Sequence, residues 1–443
     1  MVDAVEPYRA AKSYAPYNAI TITTEDITTN FPATDIKESI KSFLNYAYSK
    51  WVVCPQYVVL ASDTDVIPMH TYSRGVDYPS DHYYSDINGD MCPEIIVSRF
   101  PASDYATLLS ISNFCAGYVN TRGADWQHSW LNKVLFVAYQ ADTYKNCMDD
   151  IYNNVHNRFS VTRLYGDAST KTDVENNINA GDLIVHYRGH GSETAWSSAN
   201  GLNTTDISTL TVGSTPSYVL NICCENGQVD DNSLETVVEA FIRRQKAIAT
   251  MGASRDSHTS ENNDFSHYLW DSIMDGETNA GRIFLKGKTK LVVNSGGSSA
   301  ALDNLVQYNL FGDPTAPVVS SADWIIGKWS MDHDGWKGTL NITEITAFHS
   351  WGISGCNYRH WHWKGTYTGS DGRNFPVAGI LGGYDGNDFS SGCKQSDHKM
   401  EFYIQFDASN NQKFSGYVFT WEKTVMAGLT WWENHPFGWY AKR

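Results

Sequence analysis

Short, continuous hydrophobic runs alternate with amphipathic segments over roughly the first two thirds of the chain. Runs of this kind are typical of strands that are buried on both faces, and the segments between them have helical periodicity. The alternation predicts an α/β fold, with a mostly parallel sheet and helices on both of its faces. The predicted strands are AITITT (19–24), YVVLAS (57–62), EIIVSRF (94–100), KVLFVAY (133–139), DLIVHY (182–187), YVLNICC (218–224), AIATMG (247–252) and KLVVN (290–294). The predicted helices include residues 35–51, 104–120 and 234–246.

The pattern changes in residues 323–443, where hydrophobic and polar positions alternate in short segments. Turn-forming clusters such as SDG, YDGND and DASNNQ separate these segments. Strict alternation is typical of antiparallel strands with one buried face, and it predicts an all-β barrel of about eight strands. Ten of the fifteen tryptophans lie in this part of the chain. They either fill the core of a small barrel or line a site for a ligand or partner.

Composition and charge exclude several classes of partner. The chain has 33 basic and 49 acidic residues and a formal net charge of −16, without a run rich in Lys or Arg. Nucleic acids and anionic membranes attract clustered positive charge, so neither is an expected partner. No apolar run approaches the roughly 18 residues of a membrane span. The first residues lack the apolar region of a signal peptide, so the protein is either intracellular or has lost its leader.

The first candidate for chemistry is the stretch LIVHYRGHGSETAW, in which a predicted strand ends near His186 and a glycine-rich turn follows. Ligands of parallel sheets bind beyond the carboxyl ends of the strands. Gly189 and Gly191 allow the backbone to approach a ligand closely. At this point His190 is suited to act as a general acid or base, and the amide of Gly191 to donate to an oxyanion. The alternative is a glycine-rich turn with an incidental histidine.

The second candidate is SYVLNICCENG, a hydrophobic strand that ends in Cys223 and Cys224 before another turn. Two neighbouring parallel strands would deliver a base from one strand end and a nucleophile from the next. A cysteine nucleophile needs such a base because a free thiol is mostly protonated at neutral pH. The alternative is a pair of buried core cysteines, which is a common arrangement. The order and spacing of the two motifs favour catalysis.

The combination of GHGSETAW and CCENG resembles the gingipain family of cysteine peptidases, within the caspase-like group called clan CD. The stretches QYVVLASDTDVIP, SDHYYSDINGDMCPEIIVSRFP and NLFGDPTAPV are also similar to the family, so the resemblance covers roughly residues 5–318. It implies a caspase-like sheet in two subdomains, residues 1–128 and a catalytic part at 129–320. The tryptophan-rich β-barrel domain of residues 323–443 lies outside the resemblance.

The resemblance implies a cysteine endopeptidase whose substrate is a polypeptide and whose catalysis needs no cofactor. The nucleophile would be Cys224, not Cys223, and it would form an acyl-enzyme intermediate. The amides of Gly191 and Cys224 would bind the oxyanion, and His190 would protonate the leaving amine and then activate water.

Further site residues follow from the same resemblance. Asp142 corresponds most closely to the acid that orients the histidine. Lys145 or Asn146 falls near the S1 pocket, which predicts an acidic or small side chain at P1. His258 is expected to line the same pocket, and Trp196 is also assigned to substrate binding.

One loop is a candidate metal site. Asp86, Asn88 and Asp90 occupy alternate positions in SDINGD, which is half of a calcium loop without the distal Glu of an EF-hand. The resemblance also implies structural calcium, and we expect it there.

Two other functions are compatible with the same sequence. A peptide ligase or transpeptidase would use the same pair of residues, with an amine in place of water. A binding protein would act through the barrel, beside an inactive peptidase domain. Secretion or a cell-surface location is expected from the habits of the family and from the acidic, tryptophan- and tyrosine-rich composition.

Overall fold

The protein is described by a computed structural model with all of its atoms. The described residues are 1–13, 17–125, 133–156, 159–213, 215–318, 325–353, 356–382, 399–407, 410–418, 424–433 and 435–443, and their side chains are described except at 119–125, 346–353 and 356–359. The helices are α1 Val2–Ala11, α2 Thr24–Asn30, α3 Ile36–Lys50, α4 His82–Ser85, α5 Tyr105–Asp125, α6 Asp142–Val155, α7 Lys171–Ala180, α8 Thr204–Thr209, α9 Val237–Arg243, α10 Thr259–Met274, α11 Ala280–Ser295 and α12 Ser299–Gln307.

The strands form a central sheet, a barrel and two short hairpins. They are β1 Tyr57–Leu60, β2 His70–Ser73, β3 Asp77–Ser80, β4 Ile96–Arg99, β5 Lys133–Ala138, β6 Ser160–Tyr165, β7 Ile184–Arg188, β8 Gly191–Ser192, β9 Ala195–Trp196, β10 Ser217–Ile222, β11 Ala247–Ala253, β12 Tyr308–Gly312, β13 Gly327–His333, β14 Trp336–Ile353, β15 Cys356–Gly369, β16 Asn374–Gly382, β17 Lys399–Gln405, β18 Asn411–Val418, β19 Val425–Trp432 and β20 His435–Lys442.

The central sheet has eight strands in the order β1-β4-β12-β11-β10-β7-β5-β6. Every pairing in it is parallel except that between β11 and β12. All residues of β7, β10 and β11 are buried, as expected for strands that are covered on both faces. The predicted mostly parallel α/β sheet is therefore confirmed.

Several elements differ from the prediction. Residues 17–23 are irregular, and α2 begins after Thr23, whose hydroxyl accepts a hydrogen bond of 3.0 Å from the amide of Asp26. The segment 290–294 lies inside α11, because a short hydrophobic run suits a buried helix as well as a strand. Two strands of the central sheet were not predicted, namely β6, a half-exposed edge strand, and β12, and neither were the four short strands of the two hairpins.

The second part of the chain forms a closed barrel of eight strands, β13 to β20, and every neighbouring pair is antiparallel. The predicted barrel is confirmed. Four of its tryptophans fill the core, namely Trp329, Trp361, Trp363 and Trp439. Others are exposed, among them Trp336, Trp431 and Trp432. A ligand or partner of the barrel stays a prediction.

The described residues group into two compact units, which hold β1 to β12 and β13 to β20 respectively. The predicted boundary at 128/129 lies within residues 126–132, and that at 320/323 within 319–324, and both stretches are outside the described residues. The domain limits therefore stay predictions.

Candidate active site

The two candidate motifs follow neighbouring strands of the central sheet. β7 and β10 pair in parallel, and the last pair in their register joins Arg188 to Ile222. His190 and Cys224 each lie two residues beyond that pair. Parallel strands end at the same edge of a sheet, so the fold brings the imidazole-bearing turn and the thiol-bearing turn together.

The imidazole of His190 is exposed and is contacted by two tyrosines. Its Nε2 atom lies 3.1 Å from the hydroxyl of Tyr144, which α6 contributes. The ring of Tyr139, one residue beyond β5, meets it edge-on with a centroid distance of 4.9 Å. The carbonyl of His190 accepts a hydrogen bond of 2.7 Å from the hydroxyl of Tyr187. These contacts hold both the ring and the backbone of the turn.

The thiol of Cys224 is half-buried and lies against Ser257. The Ser257 amide donates to Sγ at 3.3 Å, and its hydroxyl lies 3.6 Å from the same sulfur. Burial raises the pKa of the Cys224 thiol, the hydrogen bonds from Ser257 lower it, and the charge of Asp256 raises it. The sulfur is thus partly accessible and has hydrogen-bond donors beside it.

Cys223 has a different environment from its neighbour. Its side chain is fully buried, and its thiol donates a hydrogen bond of 2.8 Å to Oδ1 of Asn226. Burial raises the pKa of the Cys223 thiol well above its usual value. A buried, protonated thiol is a poor nucleophile, so the geometry favours Cys224.

Asn226, which lies in the CCENG motif, joins the two turns. Its amide nitrogen donates to the carbonyl oxygens of Ser192 and Ala195, the latter at 3.1 Å, in the hairpin that follows His190. Gly191 packs so closely that any Cβ at this position would collide with the carbonyl of Cys224. The turn therefore requires glycine for steric reasons.

Three residues that were predicted to orient His190 or to line the S1 pocket lie on α6. Asp142 is the first residue of that helix, its side chain is 87% exposed, and it pairs with Lys145 at 3.4 Å. Lys145 also pairs with Asp167 at 2.9 Å, so its positive charge has two acidic partners. Asn146 is exposed on the same helix. The hydroxyl at the His190 ring comes from Tyr144, a residue that no motif in the sequence indicates.

The remaining two predicted substrate-binding residues differ in accessibility. His258 precedes α10, its side chain is 44% exposed, and its Nε2 lies 3.3 Å from a carboxylate oxygen of Asp303. Trp196 is 2% exposed and stacks on Tyr187, and its indole donates to Asn221 at 2.7 Å. The buried ring supports the turn from within the core, and a substrate contact of Trp196 stays a prediction.

Carboxylates surround the thiol-bearing turn. Burial raises the pKa of Glu225, and the charges of Glu193 and Asp256 raise it further. Arg255 opposes this effect, but its guanidinium also forms a two-pronged ion pair with Asp230. The electrostatic environment of Cys224 is therefore acidic.

The candidate calcium loop is held by hydrogen bonds within itself. The Asp86 carboxylate accepts from the amides of Gly89, Asp90 and Met91 at 2.9 to 3.1 Å. Asn88 and Asp90 accept from amides of the same loop. Within the described part of the chain, no group of three or more His, Cys, Asp or Glu side chains converges as metal ligands would. Calcium binding at this loop stays a prediction.

The comparison with protein families decides the classification of the chain. The family model described as peptidase family C25 matches residues 1–319. The chain belongs to peptidase family C25. The expected family resemblance is confirmed, and the match ends before the barrel of β13 to β20.

Individual C25 relatives are moderately similar. Lys-gingipain of Porphyromonas gingivalis is 26% identical over 328 residues, which are 71% of this chain and 17% of that protein. Gingipain R2 of the same organism is 27% identical over 219 residues, 47% of this chain and 29% of that protein. The chain therefore spans only a minor part of the curated relatives that it matches.

Solved structures show the same fold. The complex of the RgpB pro- and mature domains from Porphyromonas gingivalis matches with a TM-score of 0.62 at 17% identity, over 94% of this chain and 96% of that one. The Arg-specific cysteine proteinase gingipain R matches with a TM-score of 0.59 at 18% identity, over 93% of each chain. Among the described helices, none combines the length and hydrophobicity needed to cross a membrane.

Proposed function

We propose that this C25 protein is a cysteine endopeptidase that cleaves polypeptides through an acyl-enzyme intermediate. The proposed nucleophile is Cys224 and the proposed general acid and base is His190. The observation that carries the proposal is the register of β7 and β10. His190 and Cys224 each lie two positions beyond the final pair of that register, Arg188–Ile222. Membership of a cysteine peptidase family supports the same reaction.

The first half of the reaction forms a thioester. The Cys224 thiolate attacks the scissile carbonyl carbon, and the amides of Gly191 and Cys224 donate to the resulting oxyanion. The tetrahedral intermediate collapses with cleavage of the C–N bond, and His190 gives its proton to the leaving amine. The close packing of Gly191 against the Cys224 carbonyl supports two amides from neighbouring turns in this role.

The second half releases the acid product. His190, now neutral, takes a proton from water as the water attacks the thioester carbonyl. Collapse of the second intermediate expels the sulfur and restores the enzyme. The hydroxyl of Tyr144, 3.1 Å from Nε2 of His190, is suited to orient the ring in both steps, since it can donate to a neutral imidazole and accept from a charged one.

The proposal is tested with an irreversible acyloxymethyl ketone probe on the full chain, together with hydrolysis of a peptide library. We expect Cys224→Ala to abolish both labelling and hydrolysis, and Cys223→Ala to retain both, because Cys223 is buried and bonded to Asn226. Loss of labelling with Cys223→Ala alone would reassign the nucleophile. No labelling of a folded wild-type protein would instead favour a binding protein that acts through the barrel.

The same assay separates hydrolysis from ligation. An added amine, such as glycinamide, competes with water for the acyl-enzyme. We expect free acid as the main product at millimolar amine, as for a hydrolase. Predominant amide product would identify a ligase or transpeptidase.

Secretion or a cell-surface location forms part of the proposal. It is supported by the acidic composition and by the family membership. Fractionation of the native host, with detection of this chain in the medium or on intact cells, tests it. Detection in the cytosol alone would overturn it.

A further inference from the structure

Three atoms of Ser257 face the sulfur of Cys224. The amide nitrogen lies 3.3 Å from Sγ, the hydroxyl oxygen 3.6 Å and the carbonyl oxygen 3.9 Å. Ser257 follows β11, the strand next to β10, so the sheet itself brings it to the thiol-bearing turn. The residue offers donors for a sulfur anion and an acceptor for a thiol proton.

The direction of the Ser257 hydroxyl proton is set by its neighbour Asn262. The Asn262 amide nitrogen donates to the Ser257 oxygen at 2.7 Å. This bond occupies a lone pair of the hydroxyl, whose own hydrogen then points to another acceptor. The sulfur of Cys224, 3.6 Å away, can accept it, and the Tyr308 hydroxyl is a second neighbour of the Ser257 side chain.

The orientation of Asn262 is fixed in turn. Its side-chain oxygen accepts two hydrogen bonds, from the hydroxyl of Tyr308 at 2.8 Å and from the amide of Asn304 at 2.9 Å. The Asn304 amide can only donate here, because its own oxygen already accepts from the His258 amide, so the Asn262 atom beside it is the oxygen and the nitrogen faces Ser257. A flipped Asn262 amide would oppose donor to donor at the contact with Asn304.

The network is buried as well as connected. Asn304 and Tyr308 are fully buried and Asn262 is 2% exposed. The Asn304 oxygen also accepts from the amide of His258 at 2.9 Å and from the side chain of Gln307 at 3.1 Å. Buried polar chains of this kind hold fixed orientations because breaking any one bond leaves an unpaired group away from water.

We propose that Ser257 is a catalytic residue that stabilises the Cys224 thiolate, with its hydroxyl held toward the sulfur by Asn262. Before ionisation the Cys224 S–H donates to the Ser257 carbonyl. When the thiol proton leaves for solvent or for His190, the Ser257 N–H and O–H both donate to the sulfur anion. This inference rests on the proposed role of Cys224 as the nucleophile.

The proposal explains how a half-buried thiol ionises beside carboxylates. Burial and Asp256 raise the pKa of Cys224, and the Ser257 hydrogen bonds are the opposing influence. Ionisation of the Cys224 thiol then depends on Ser257, which follows the adjacent strand, and it does not require an ion pair with His190.

The test is the pH dependence of Cys224 alkylation by iodoacetamide, followed by mass spectrometry on the full chain. In Ser257→Ala we expect the inflection to move to higher pH and the rate at pH 7 to fall roughly three- to tenfold, which is the size expected for the loss of one hydrogen bond of ordinary net strength. Ser257→Thr keeps the hydroxyl and is expected to restore most of the rate.

Ser254→Ala is the matched control. Ser254 lies three residues earlier, its hydroxyl is buried, and it has no hydrogen-bond partner in the described part of the chain. We expect its alkylation profile to match the wild type. An unchanged profile in Ser257→Ala, or an equal shift in Ser254→Ala, would overturn the proposal.

His190→Ala supplies a second measurement that leaves Ser257 intact. We expect its alkylation inflection to stay within about half a pH unit of the wild type, since half a unit is only about 0.7 kcal/mol. An upward shift of more than one unit would show that the imidazolium stabilises the thiolate, and it would overturn the proposal.

Alkylation does not require peptide cleavage, so the two proposals fail separately. If the alkylation profiles of the variants shift as expected but no peptide is hydrolysed, only the proposed peptidase function is rejected. Hydrolysis by Cys224 with no effect of Ser257→Ala on alkylation would reject this inference alone.

Discussion

Nε2 of His190 lies 3.1 Å from the hydroxyl of Tyr144, a residue that precedes it by 46 positions. Tyr144 is buried near the start of α6, and the guanidinium of Arg188 lies 4.7 Å from the centre of its ring. The helix thus fixes the phenol against the turn that carries the imidazole. The hydroxyl beside Nε2 of His190 thus comes from a tyrosine, and a role of Asp142 in orienting the ring stays a prediction.

Tyr144→Phe removes the hydroxyl and keeps the ring. We expect kcat to fall about two- to tenfold with little change in KM, because a lost hydrogen bond of about 1 kcal/mol loosens the imidazole without touching the bound peptide. Steady-state kinetics on one peptide substrate measures both constants. Tyr152→Phe, on the same helix but packed against His156, serves as the control and should be unchanged.

Asp142→Asn tests the carboxylate directly. We expect kcat to stay within about twofold of the wild type, because the Asp142 side chain is 87% exposed and pairs with Lys145, and exposed pairs contribute little. The comparison uses the same kinetic assay as Tyr144→Phe. A loss larger than that of Tyr144→Phe would restore Asp142 as the residue that orients His190.

Asn226→Ala should separate the two turns. Its side chain is fully buried, donates to Ser192 and Ala195, and accepts from Cys223. Since unpaired buried groups are costly, we expect a loss of about 2–4 kcal/mol in unfolding free energy and a fall in kcat. Denaturant unfolding and steady-state kinetics measure the two effects. Gln228→Ala, on the same turn, should leave both near the wild-type values.

The charges around Cys224 predict a bias at P1. Lys145 has acidic partners at Asp142 and Asp167, whereas Glu193, Glu225 and Asp256 surround the thiol-bearing turn. We therefore expect matched peptides with Asp at P1 to be cleaved several-fold more slowly than those with Asn, which contrasts with the acidic alternative of the acidic or small P1 side chain inferred from the sequence.

The ratio of kcat/KM for the Asp and Asn peptides measures this bias. It should move toward one in Glu225→Gln and at high ionic strength, since salt screens exposed charges. Faster cleavage of the Asp peptide, lost in Lys145→Ala, would support the original S1 assignment.

Asp182 predicts a pH dependence of stability. Burial raises its pKa from the usual 3.8 to about 7, against a smaller opposing effect of Lys133. The folded state therefore binds the proton more tightly than the unfolded state, and stability declines as pH rises from about 4 to about 7. The upper bound of this loss is about 4 kcal/mol.

Asp182→Asn removes that ionisation with little change of shape. We expect the variant to gain stability over the wild type at pH 8 but much less at pH 4.5, as measured by denaturant unfolding at both values. An equal difference at the two pH values would contradict the shifted pKa of Asp182.

The sequence by itself determined the strands that carry the site. The runs ending near His186 and at Cys224 have the continuous hydrophobicity of strands covered on both faces, and β7 and β10 are fully buried. The alternation after residue 323 likewise specified an antiparallel barrel, because a barrel strand shows one side to water at every second residue. These patterns are local, so the chain displays them directly.

Tertiary structure alone decided the rest. The run at 290–294 became part of α11, since a short hydrophobic segment becomes a strand only where a neighbour can pair with it. Tyr144 and Ser257 carry no local signal, and Asn226 belongs to the CCENG motif without any sign of its bonds, because these roles depend on side chains that meet only after the sheet has formed. Hydrophobic periodicity records which face of an element is buried, but the contacts between polar groups depend on where distant elements end.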